Sequence, residues 1–274
     1  MARLRVSAIS FLNTAPLMWD FEHGPAGADF EVSYTVPSAC AEALRTGAAD
    51  IGIIPAIAYA TISDLRVIPG VAIASRRSVR SILLVSRKPI EEVETVAVDT
   101  ASRTSAALAR VLFQKWLGGG RHFEPVEPDL EAMLRRCDAA VIIGDPALTV
   151  DRSRYLTYDL AEEWNRLTGQ PFVFAFWAVR AAAALPEVAR AFQQSRDHGL
   201  EPANVRQLAR QWAPRVGLSE PEVITYLTEN IDYSLEAANL AALELFFQYA
   251  VDCGVIAAVP PLQFVGQDVS ARKG

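Results

Sequence analysis

Hydrophobic and polar positions along this chain fall into two alternating kinds of segment. Short, nearly continuous apolar runs rich in Val, Ile and Ala read as buried strands over 3–9, 51–54, 80–86, 95–98, 139–143 and 172–179. Between them the apolar positions recur at helical spacing. Ser38 is a candidate N-cap for a short helix that Gly47 stops, and a longer helix over 104–117 ends at Gly118-Gly119-Gly120. A further helix covers 130–136. Asp159 with Glu162 three residues on reads as a capping box for a helix that stops at Gly169. From 186 to 254 the pattern is helical throughout, with a second capping box at Ser219 and Glu222. Leu235, Ala238, Leu240, Leu243, Phe246, Phe247 and Ala250 form one apolar face of a last long helix. The alternation predicts an α/β fold with largely parallel sheets.

One plan occurs twice. Asp50-Ile51-Gly52-Ile53-Ile54-Pro55-Ala56 is a strand preceded by a helix and ending in Pro-Ala. The run from Asp138 into Gly144-Asp145-Pro146-Ala147 has the same layout. Upstream of each lie a strand, a Ser/Thr/Asn-rich turn and a helix, over 9–16 and 98–105. Such turns also recur by chance in α/β chains, but the shared order favours two similarly built lobes. Ligands of open α/β sheets sit beyond the carboxyl ends of the strands, so two such lobes would bring both polar turns to one cleft.

Composition removes other classes. The chain has 274 residues, 51% hydrophobic and 21% charged, which excludes a disordered polymer. A net charge of −6, with no dense Lys/Arg run, argues against nucleic acid. The longest apolar stretch, 171–185, is interrupted by Arg180 and falls short of the roughly 20 residues of a membrane span. Residues 1–7 run straight into a strand pattern with no apolar leader, which predicts a cytoplasmic protein. Cys40, Cys137 and Cys253 are far apart and fit reduced thiols rather than a zinc site. No P-loop and no GxGxxG after a strand occurs, and His23, His122 and His198 lie apart from every polar turn. No metal and no cofactor is expected, and no oligomeric state is specified.

Four clusters can carry chemistry. In Ser10-Phe11-Leu12-Asn13-Thr14-Ala15-Pro16, Asn13 and Thr14 sit where a helix begins and can serve as caps or as ligand contacts. In Asp99-Thr100-Ala101-Ser102-Arg103-Thr104-Ser105, hydroxyls and an arginine crowd a helix start, more than one cap requires. That favours an anion. Gly144-Asp145 places a carboxylate at the end of a strand, where it can act on a ligand or close its own turn. Ser78-Val79-Arg80-Ser81 either lines a cleft or simply starts a strand.

These motifs resemble the chorismate dehydratases of the futalosine route to menaquinone. Ser10-Phe11-Leu12-Asn13-Thr14-Ala15-Pro16-Leu17 is similar to that family's S-[YF]-L-N-T-x-P-L, and 99–105 to its D-x-x-S-R-T-S turn. Ile143-Gly144-Asp145-Pro146-Ala147-Leu148 resembles I-G-D-x-A-L. Tyr158-Asp159-Leu160, Trp164, Thr168-Gly169 and 171–175 resemble Y-D-L…W…T-G-x-P-F-V-F-A. The motifs run in order from residue 3 to about 180. Pro55-Ala56-Ile57-Ala58 departs from the pattern, since relatives often carry serines after the proline. The sister 1,4-dihydroxy-6-naphthoate synthase shares the architecture but has a different N-terminal motif. A non-catalytic solute-binding protein for small anions is the rival class.

The resemblance implies a type II periplasmic-binding-protein-like fold, two α/β lobes around a ligand cleft with a helical C-terminal tail. By analogy lobe one is 1–86, lobe two 87–178, and 179–274 returns to lobe one with the tail. It implies a hydro-lyase acting on chorismate as its small-molecule partner. Asn13 and Asp145 are then the candidate catalytic residues. Ser10, Thr14, Ser81, Ser102, Arg103, Thr104, Ser105 and Gly144 are the candidate substrate contacts. The proton acceptor is either Asp145 or the substrate's own enolpyruvyl carboxylate.

Overall fold

The computed structural model describes residues 3–99 and 101–267. Ten strands form two five-stranded sheets. The strands are β1 (Leu4–Ile9), β2 (Phe30–Thr35), β3 (Ile51–Pro55), β4 (Leu65–Ser75), β5 (Ile82–Ser86), β6 (Thr95–Asp99), β7 (His122–Val126), β8 (Ala139–Ile143), β9 (Leu156–Asp159) and β10 (Phe172–Arg180). The first sheet has the order β2-β1-β3-β10-β4 and the second β7-β6-β8-β5-β9. In each, three strands are parallel and the next two join antiparallel. The two sheets therefore share one topology, which is the physical content of the repeated sequence plan. Their strands are mixed rather than largely parallel, because β10 enters the first sheet, and β5 the second, from the opposite lobe.

That exchange also moves the lobe boundaries. β5 lies in the second sheet, so the chain leaves lobe one before residue 82 rather than after 86. β10 lies in the first, so it returns before 172 rather than after 178.

Ten α-helices cover the sheets: α1 (Trp19–His23), α2 (Pro37–Thr46), α3 (Arg103–Trp116), α4 (Leu130–Arg136), α5 (Asp145–Leu148), α6 (Leu160–Thr168), α7 (Pro186–Gly199), α8 (Pro202–Val216), α9 (Glu220–Thr225) and α10 (Ala237–Asp252). Gly47 ends α2 in a left-handed conformation, as its position predicted. The cap of α2 is Val36 rather than Ser38. The Ser219–Glu222 capping box forms at α9. From 186 to 252 the tail is helical apart from breaks at 200–201, 217–219 and 231–236, and it packs on both lobes: α7 lies on α1 and β4, and α10 touches β10 and α3. Trp164, Phe172 and Phe246 meet edge-on where α6, β10 and α10 converge, with ring centroids 4.9–6.1 Å apart. Such aromatic contacts bury large apolar area and fix the angle of the tail against both lobes. No helix among the described residues is long and apolar enough to cross a membrane.

Candidate active site

The carboxyl ends of β1, β3, β6 and β8 point toward one another, and the cleft between the lobes lies beyond them. Ile9, Phe11, Ile73, Ile82, Ile143 and Phe174 give it apolar walls. Asn13 faces it from lobe one. Ser102, Arg103, Thr104 and Ser105 face it from the start of α3, and Gly144 from the end of β8. The cavity volume is about 50 Å³, enough for a few water molecules.

Among the described residues, the start of α3 leaves its backbone donors free. Ser102 is the N-cap residue, yet no side chain caps the helix. Its first N–H groups stand at the cleft, where the helix dipole favours negative charge. Asp99 shapes the turn, accepting from Ala101 N–H at 2.8 Å. Thr100 lies outside the described residues. Thr104 is already engaged: its Oγ1 accepts from Ile57 N–H at 3.3 Å, tying α3 to the 3₁₀ turn Ala56–Thr61 of lobe one. A backbone N–H of the departing Pro55-Ala56-Ile57 segment thus makes the contact there.

Asn13 is not a cap. It lies inside a 3₁₀ helix, Leu12–Met18, whose N-cap residue is Phe11. Its Oδ1 accepts from Thr14 Oγ1 at 3.3 Å, and its side chain is 7% exposed, toward the cleft. Thr14 is turned to Asn13 rather than to the cleft, and Ser10 stands exposed outside it. Ser81 is wholly buried, one residue behind Ile82, and its carbonyl accepts from Gly144 N–H at 2.8 Å. Gly144 has φ 68° and ψ −151°, a conformation only glycine adopts readily. A Cβ there would stand 2.7 Å from the Phe11 ring. Phe11 and Phe174 are cleft walls with no polar signature in the sequence.

Asp145, a candidate to act on a ligand or to close its own turn, sits next to the cleft-lining Gly144 at the start of α5. Its Oδ1 accepts from Leu12 N–H at 2.9 Å, joining lobe two to lobe one. Burial pushes its carboxyl up to about 6, against the opposing pull of the Leu12 bond. The folded protein therefore holds a proton on Asp145 that the unfolded chain has already released. The stability this provides is complete below about pH 4 and is lost as the pH rises to about 6. Asp145→Asn keeps an acceptor for Leu12 without the charge. Thermal melts should show the variant about 5 °C more stable than the wild type above pH 6, with the gap closing by pH 4. Parallel melting curves across that range would remove Asp145 from the account.

Residues 4–252 match the family profile described as menaquinone biosynthesis. The chain belongs to this family. Among curated relatives, a chorismate dehydratase of Thermus thermophilus is 27% identical over 209 residues, covering 69% of this chain and 75% of that protein. A chorismate dehydratase of Campylobacter jejuni is 33% identical over 111 residues, 39% of each chain. Among solved structures, protein AF1704 of Archaeoglobus fulgidus superposes with a TM-score of 0.70 at 16% identity, covering 93% of this chain and 98% of that one. The aliphatic sulphonate binding protein SsuA of Escherichia coli does so with a TM-score of 0.63 at 19% identity, covering 97% and 96%. These likenesses show the periplasmic-binding-protein fold. The ordered motifs of this family also find their structural reasons. Asp159 accepts from Ala161 and Glu162 N–H at the start of α6, Trp164 packs the core, and Gly169 ends α6 in a left-handed turn.

Proposed function

We propose that this chain is a chorismate dehydratase, a hydro-lyase that converts chorismate to 3-[(1-carboxyvinyl)oxy]benzoate. The C4 hydroxyl leaves, the C3 proton is lost and the ring becomes aromatic, so the driving force resides in the substrate. One observation carries the reading: an apolar slot with an uncapped helix N-terminus on one side and the Asn13 amide on the other. Phe11, Phe174 and the isoleucines suit the ring. Ser102, Arg103 and Ser105, with the N–H groups of α3, suit a carboxylate. Asn13 donates to the departing hydroxyl.

No carboxylate, histidine, lysine or cysteine is among the described residues lining the cleft. The proton acceptor that fits is the substrate's own enolpyruvyl carboxylate, held near C3 by the site. Positioning of this kind can supply a large part of the rate. Chorismate would enter by a parting of the lobes. The Leu12–Asp145 and Ile57–Thr104 bonds are polar ties that would open with it.

The test is direct. Purified protein mixed with chorismate should generate an aromatic ultraviolet absorbance and a product lighter by one water in mass spectrometry. Saturable binding of chorismate with no turnover would overturn the enzymatic reading in favour of a solute-binding role.

A further inference from the structure

Behind the cleft lies a knot of buried polar groups for which the proposed reaction has so far assigned no role. Tyr226 opens a π-helical turn, Tyr226–Asn230, directly after α9. Single π-turns are uncommon and collect at functional sites. The Tyr226 side chain is wholly buried, and its hydroxyl has no hydrogen-bond partner. The Ser81 hydroxyl is likewise buried and unpartnered. The side chains of Ser81 and Asn13 lie beside the Tyr226 hydroxyl without meeting bonding geometry, and the Asp145 carboxyl and the Arg80 guanidinium act on it from further off. An unpartnered buried hydroxyl is destabilising, so two of them side by side call for an explanation beyond stability.

The backbone that presents Ser81 is also under constraint. Arg80 has φ 62°, rare for a residue with a side chain. The Asp159 carboxylate holds that conformation, accepting from Arg80 N–H at 2.6 Å, Val79 N–H at 3.2 Å and Ser78 Oγ at 2.7 Å. From the far end of the π-turn, Asn230 Nδ2 donates to Ser78 O at 3.1 Å. Strain held by several bonds next to a ligand cleft is a mark of a position fixed for function.

We infer that Tyr226 is a positioning residue for the dehydration. With substrate in the cleft, its hydroxyl donates to Ser81 Oγ, so that the Ser81 hydroxyl is turned toward Asn13 and the departing C4 oxygen. Tyr226 thus acts through Ser81 and does not touch the substrate. The inference rests on the chorismate dehydratase reading.

Tyr226→Phe removes one unpartnered oxygen and leaves the ring. The variant should keep or exceed the wild-type Tm while kcat on chorismate falls about tenfold at unchanged KM. The Ser81→Ala, Tyr226→Phe double variant should be no slower than Ser81→Ala alone, because both changes break one chain of bonds. Tyr233→Phe removes a second buried, unpartnered hydroxyl and should leave kcat within twofold. Wild-type kcat in Tyr226→Phe, or fully multiplicative losses in the double variant, would overturn the positioning role alone. A wild-type protein inactive on chorismate would overturn both this inference and the reading beneath it.

Discussion

Asn13→Ala is expected to lower kcat on chorismate by about 100-fold or more while the Tm falls by only about 2–4 °C. The asymmetry follows from where the amide sits. The 3₁₀ helix Leu12–Met18 is made of backbone bonds that do not need the Asn13 side chain. Among the described residues the amide makes one hydrogen bond, the 3.3 Å contact from Thr14, and losing it costs about 1 kcal/mol, a small Tm shift for a chain of this size. The amide N–H₂ makes no hydrogen bond among the described residues, and the side chain lies between the cleft and the Tyr226 hydroxyl. Removing a preorganised donor aimed at a departing oxygen costs about 10²–10³ in rate. Asn13→Asp separates donor from shape: it has nearly the same outline but only accepts, and should be as slow as the alanine variant. Steady-state kinetics beside melting curves decide the matter, and a kcat within threefold of wild type in either variant would remove Asn13 from the reaction.

The sequence and the structure diverge in a patterned way. The six runs read as strands became β1, β3, β5, β6, β8 and β10, which are the interior strands of the two sheets. Strands covered on both faces and both edges read as continuous apolar runs, and no other element in a short chain segment does. The four strands without a legible signal, β2, β4, β7 and β9, are the four edges. β2 exposes Glu31, Ser33 and Tyr34 to solvent, β7 carries Pro125, β9 has four residues, and β4 contains Pro69-Gly70. Edge strands carry charge, proline and brevity because an unpaired edge invites wrong pairing, and those same features mask them in a hydropathy pattern. The polar turn at Ser102 was legible because more hydroxyls stood there than a cap needs, and the helix is indeed uncapped by any of them. The cross-lobe bond of Asp145 was not legible because its partner, Leu12 N–H, is 133 positions away. Tyr226 had no local signal at all: its interest comes from neighbours on three other segments.

Gly199→Ala should be the most destabilising single methyl in the molecule for which the contacts are known. Gly199 is the last residue of α7 and lies against the 3₁₀ helix that carries Asn13. A Cβ at this position would stand 1.9 Å from the Pro16 carbonyl oxygen and 2.6 Å from its carbon. Both are backbone atoms, so no side chain can rotate away. An ordinary contact requires the two segments to separate by about 1.5 Å, and the polar bonds around the contact do not allow that. Ser195, one turn earlier on α7, donates to Leu17 O at 2.8 Å and accepts from Asp20 N–H at 3.0 Å. His198 Nδ1 lies 2.8 Å from Asp20 Oδ2. Separation would break the Ser195 bonds and leave buried backbone groups unpaired, adding to the steric cost. A loss of about 3 kcal/mol or more is expected, a fall in Tm of about 8 °C or more. Ser195→Ala, which loses the bonds without the clash, should lie between this variant and the wild type. The segment that is pushed aside holds Asn13, so the folded fraction of Gly199→Ala should also lose kcat at low temperature, where stability is not limiting. A Tm within 2 °C of wild type would mean that α7 can slide on this segment, and that the Asn13 turn is not fixed from behind as these contacts require.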